Sequence, residues 1–95
     1  MSNDIKHKDL YLKLGNIKRA EEWLKAAETL NLRICGGGKH PYTIRDPKKP
    51  DDNGKGSLIA VIQTTLHKTI NQKIFKEILK FGIPEEDIWR ALDLL

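Results

Sequence analysis

His40 stands at the end of a run of three glycines and a lysine, in the segment Gly36-Gly37-Gly38-Lys39-His40-Pro41-Tyr42. An imidazole takes up and releases protons near neutral pH, and a glycine run lets the backbone come close to a ligand, so His40 is the candidate for proton transfer. Tyr42 shares a strand face with it. His7, near the start of the chain, reads as a bystander. Cys35, His40 and His67 together could offer a thiolate and two imidazoles to zinc, but their spacing matches no established zinc pattern. No metal or other cofactor is expected, and Cys35 reads as a small buried side chain. A single cysteine also excludes an internal disulfide. Trp23, Phe75, Phe81 and Trp89 fall on helical stripes and read as core rather than as platforms for stacked bases.

The elements that must hold these residues follow from the hydrophobic spacing. A short helix around 8–14 is interrupted by Gly15, and the opening residues are expected to fray. Ile17, Ala20, Trp23, Leu24, Ala27 and Leu30 recur at three and four, with charged residues between them, which predicts an amphipathic helix over 16–30 capped by Asn16. Leu32 to Cys35 is a short strand, and the glycines after it suit a tight turn or bulge. His40 to Arg45 alternates as a half-buried strand, with His40, Tyr42 and Ile44 on one face. Residues 46–56 hold two prolines, two glycines and no apolar side chain, and read as a flexible loop. Ser57 to Gln63 is the third strand, apolar on both faces.

Thr69-Ile70-Asn71-Gln72 has the form of a capping box, so a helix is expected to open there. It carries the stripe Ile70, Ile74, Ile78 and Phe81, and stops at Gly82 and Pro84. Pro84 sits at the first position of a last short helix, with Glu85, Glu86 and Asp87 at its positive end. The fold class is therefore α+β: helix, three strands, helix and a short C-terminal helix, with two main helices on one face of a three-stranded antiparallel sheet. Ninety-five residues suit one domain, 1–95, with 1–15 as an N-terminal extension and 84–95 as the C-terminal helix.

Charge is unevenly placed. The chain has 17 Lys and Arg against 13 Asp and Glu, for a net +4. Residues 33–80 hold ten of the basic residues and four acids, which is +6 and leaves −2 for the flanks. A polyanion would be drawn to the middle and second half. No apolar run reaches the roughly 20 residues of a membrane helix, and the opening residues lack the pattern of a secretory leader, so a cytoplasmic location without membrane contact is expected.

Gly36-Gly37-Gly38-Lys39-His40-Pro41-Tyr42-Thr43-Ile44, a later strand and His67, and a helix ending Ile78-Leu79-Lys80-Phe81-Gly82-Ile83 together resemble the HicA family of toxins over roughly 16–83. The resemblance implies an α-β-β-β-α domain like the double-stranded-RNA-binding fold. It also implies an endoribonuclease that cleaves messenger RNA, in which His40, matched by Gly38-Lys39-His40, is catalytic. RNA carries its own nucleophile, the 2′-hydroxyl, so such an enzyme needs only to move protons and to neutralise the phosphate. On this reading Gly37, Gly38, Lys39, Tyr42, His67 and Lys68 contact RNA, with Tyr42 and His67 as candidates for the second proton transfer. The implied protein partner is a HicB-like antitoxin covering the His40 face. The alternative is a module of the same fold that grips RNA without cutting it.

Overall fold

A computed structural model describes residues 5–37, 40–52, 54 and 56–95, with Gly37 and His40 described in their backbone. Helix α1 (Lys8–Leu12) runs into a 3₁₀ turn (Lys13–Asn16), followed by α2 (Ala20–Thr29), β1 (Arg33–Gly37), β2 (His40–Arg45), β3 (Leu58–Ile62), α3 (Lys68–Phe81) and α4 (Glu85–Ala91). The three strands form one antiparallel sheet in the order β1-β2-β3. The expected α+β order of elements is therefore present.

One sheet face is apolar. Ile34, Ile44 and Ala60 are cross-strand partners, and Ile62 continues the same face opposite Tyr42. Ile44, Ala60 and Ile62 are buried against a core that includes Trp23, Ala27, Ile74, Phe75 and Ile78. Helix α2 lies on β1 and α3 on β3, while α4 closes the layer by packing on both helices. Phe75 and Trp89 stack with ring centroids 4.3 Å apart, which fixes α4 to α3.

Several local expectations are corrected. Asn16 does not cap α2: it ends the 3₁₀ turn, Ile17 is extended and buried, and α2 starts three residues later. Helix α3 starts at Lys68 with His67 at its cap and no side-chain capping bond. Gln72 instead donates to the Tyr11 carbonyl (3.3 Å), so the local capping box is replaced by a long-range tie. Pro84 occupies the cap of α4 rather than its first turn. Phe81 is 41% exposed, because it lies in the last turn of α3 beyond the core. Gly82, with φ +120°, ends the helix as expected.

The N-terminal segment is part of the fold from Ile5, which is buried together with Leu14. Its anchor is Glu85, whose carboxylate accepts the amides of Lys6 and His7 at 2.7 Å each and the Trp89 indole N–H at 2.9 Å. Burial opposes the charge on Glu85. The bonds from Trp89, Lys6 and His7, with the nearby His7 ring, outweigh it and hold the carboxyl below its ordinary value.

The segment joining β2 to β3 is hydrogen-bonded to the sheet where it is described. Ser57 is buried, and its hydroxyl donates to the Asp52 carbonyl (2.6 Å) while accepting from Arg45 (3.0 Å) and Arg33 (3.5 Å). Arg33 also donates to the carbonyls of Lys49 and Asp52, and Arg45 to that of Gly54. Asp46 and Asp52 cap their own turns through the amides of Lys48 and Gly54. The carbonyls of Lys49, Asp52 and Gly54 thus tie the described part of this apolar-free loop to two arginines of the sheet, a link that its composition alone does not predict.

Candidate nucleic-acid interface

The end of the sheet where β2 begins is built from the glycine run. Strand β1 pairs Cys35 with Thr43 and then Gly37 with His40, so the register shifts where Gly36 alone stands opposite two residues of β2, Pro41 and Tyr42. Gly36 has φ +96°, and a Cβ there would run into the Pro41 carbonyl oxygen. Only glycine suits both the backbone angle and the close strand approach. An irregularity is present beside the glycines, as expected, but its extra residue lies on β2, next to that strand's start at His40.

The same end receives the connection from β3 to α3. Tyr42 pairs with Ile62, the last residue of β3, so the chain leaves the sheet beside the start of β2. Leu66 is buried and tacks this connection down, which leaves His67 and Lys68 exposed at the start of α3. Lys68 lies against Gly15, where an added Cβ would sit 3.2 Å from the Lys68 Cβ. Tyr42 is 37% exposed at the rim of the helix-covered face. Gly38 and Lys39 lie outside the described residues. The topology thus gathers the first residues of β2, Tyr42 and the His67–Lys68 corner at one end of the sheet.

Cys35 is half-buried, on the sheet face away from the helices, and its sulfur accepts a hydrogen bond from Arg33 Nη1 at 3.2 Å. Arg45, one of the cations of the basic middle segment, donates to Thr43 (3.2 Å) as well as to the loop. Both arginines of this face therefore serve the fold.

Two grooves flank the outer surface of α3, and sequence reasoning passed over them. One, of about 330 Å³, runs from the β3–α3 connection past His67 to Lys73 and Glu77. The other, of about 410 Å³, lies between α1 and α3 and is lined by Tyr11, Thr69, Gln72, Lys73, Lys76 and Lys80, among others. Lys73 and Glu77 belong to both. Burial raises the Glu77 pKa while Lys73 opposes the shift. The signal was in the sequence, as lysines three and four apart on the polar side of a helix.

No family model, curated protein or solved structure matches the chain.

Proposed function

We propose that this protein is an endoribonuclease of the HicA toxin type, built on a fold like the double-stranded-RNA-binding domain. His40 would accept the 2′-hydroxyl proton as that oxygen attacks the adjacent phosphorus, or protonate the departing 5′-oxygen. Cationic groups, Lys39 and Lys68 among them, would neutralise the phosphate. The P–O5′ bond breaks as the P–O2′ bond forms, giving a 2′,3′-cyclic phosphate and a 5′-hydroxyl. A HicB-like antitoxin would hold the enzyme inactive by covering the same end of the sheet.

The observation that supports this reading is topological: β2 starts at His40 at the end of the sheet where β3 finishes opposite Tyr42, and the connection that leaves β3 there leads to His67 and Lys68. The lysine-lined grooves of α3 equally support the second reading, a module that grips RNA without cutting it.

One assay separates the two. Wild type and His40→Ala are incubated with messenger RNA in the presence of a chelator, and the new ends are identified. Cleavage lost in the variant, with 5′-hydroxyl ends in the wild type, is expected. Binding without cleavage by either protein would favour the module, and 5′-phosphate ends would overturn the mechanism.

A further inference from the structure

Charge on this protein is sorted by helix. Helix α2 carries Glu21, Glu22 and Glu28 against Lys25, and α4 carries Glu85, Glu86 and Asp87 against Arg90, so each is net −2. Helix α3 carries Lys68, Lys73, Lys76 and Lys80 against Glu77, for +3. An ordinary solvated helix face alternates the two signs. On α3 the lysines stand together: all four are exposed, and Lys73, Lys76 and Lys80 follow one another at three and four along a single face. The lone acid is half-buried, and burial disfavours its charged form.

We infer that the Lys73, Lys76 and Lys80 ridge of α3 is a track for the phosphate backbone of single-stranded RNA, running from the His67 corner across Lys73 into the α1–α3 groove. The inference rests on the reading above that the ligand is RNA. Lys73 divides the two grooves and lines both, which makes the path continuous. Lys76 is steadied with its ammonium 5.6 Å from the centre of the Tyr11 ring, and it still faces solvent. From Lys68 to Lys80 the helix rises about 18 Å, room for several phosphates of an extended strand.

The character of the surface favours RNA over an acidic protein segment. Protein interfaces concentrate their energy in pockets that take aromatic or aliphatic anchors. Here the Tyr11 ring meets Phe75 edge-on and carries Lys76 above it, and the rest of the lining is Lys73 and Lys80 with Thr69, Gln72, the half-buried Glu77 and a single aliphatic side chain, Leu79. Cations alone suffice to hold a phosphodiester chain, without regard to its bases. The track therefore supplies affinity rather than sequence preference.

The probe is a uridine-rich 2′-O-methyl oligonucleotide, which presents phosphates and has no free 2′-hydroxyl with which to be cleaved. Its binding is followed by fluorescence anisotropy over a range of salt for the wild type, the control Lys25→Gln and the triple variant Lys73→Gln, Lys76→Gln, Lys80→Gln. All three lysines are exposed, and circular dichroism confirms that the fold is kept. Wild type and Lys25→Gln, an exposed α2 lysine outside both grooves, should bind alike, while the triple variant should bind at least about tenfold more weakly, with the slope of log K against log salt flatter by about 2. An unchanged slope in the triple variant overturns the track, whatever His40 does. Loss of polyglutamate binding with oligonucleotide binding intact assigns the face to an acidic protein and also overturns it. Undiminished cleavage of natural RNA by His40→Ala, beside weakened binding by the triple variant, sinks the proposed role of His40 and leaves the track standing.

Discussion

The indole N–H of Trp23 donates to Asn71 Oδ1 at 3.0 Å, in the centre of the apolar layer between α2 and α3. The Asn71 amide nitrogen donates in turn to the carbonyls of Leu14 (2.7 Å) and Ile17 (3.0 Å), so one fully buried side chain joins three segments. Both carbonyls lie where the 3₁₀ turn gives way to α2; that of Leu14 also accepts the Ile17 amide of the turn (3.1 Å), whereas Ile17 is already in extended backbone. Asn71→Leu keeps the branched shape but takes away the side-chain partner of the Ile17 carbonyl and of the indole N–H, and one of the two donors to the Leu14 carbonyl. A loss of about 3 kcal/mol is expected in urea unfolding. A loss below about 1 kcal/mol would show that the bend rearranges to satisfy itself.

Glu85 gives the fold an acid limit. Its folded pKa is depressed below the ordinary 4.5, so its contribution is present above that pH and is lost as the pH falls through the folded value. Glu85→Gln should cost about 2 kcal/mol near neutrality, and it should flatten the fall of stability with pH below 4.5. Chemical unfolding at a series of pH values measures both. Parallel stability curves for the two proteins would count against the assignment.

Gly36→Ala tests the bulge. The new methyl group must sit at positive φ against the Pro41 carbonyl, which costs about 2 kcal/mol or more. The loss should appear in thermal unfolding, and the amide signals of 40–45 should shift because β2 must re-pair. Unchanged spectra would mean that the strand pairing tolerates a side chain at this position.

Ser57→Ala tests the loop. It removes the hydroxyl shared by Arg33, Arg45 and Asp52 at a buried position. A loss of about 1–2 kcal/mol is expected, with faster trypsin cleavage after Lys48. Equal cleavage rates would show that the arginine-to-carbonyl bonds hold the loop without it.

The broad plan was legible because periodicity carries it: Ile44 and Ile62 on strands, and Ile74 and Ile78 on a helix, lie in the core where their spacing placed them. What was hidden is long-range and polar. Asn71 sits inside an apolar stripe and looks like a capping-box filler, yet its partners lie 48 or more residues away. Glu85 looks like one of three acids serving a helix dipole and is the anchor of the N-terminal segment. Asn16 is a good cap by type, but Ile17 must reach the core, and that demand moves the helix start. The start of β2 at His40 and the bulge beside it were readable from the glycines, whereas the α3 grooves needed the neighbouring α1.

The loop fastened by Arg33 and Arg45 has a bearing on how the molecule meets its surroundings. Two guanidinium groups on the outer side of the sheet are clamped between main-chain oxygens, so their charge is stationary and shared with groups of the same molecule. On the opposite, helical side the ammonium groups of Lys68, Lys73 and Lys80 stand in water on long stems, with that of Lys76 over the Tyr11 ring. An approaching anion thus finds two unlike kinds of positive surface back to back, one rigid and already engaged, the other adaptable. The formal charge of the middle segment overstates what is on offer on the first side and describes the second well.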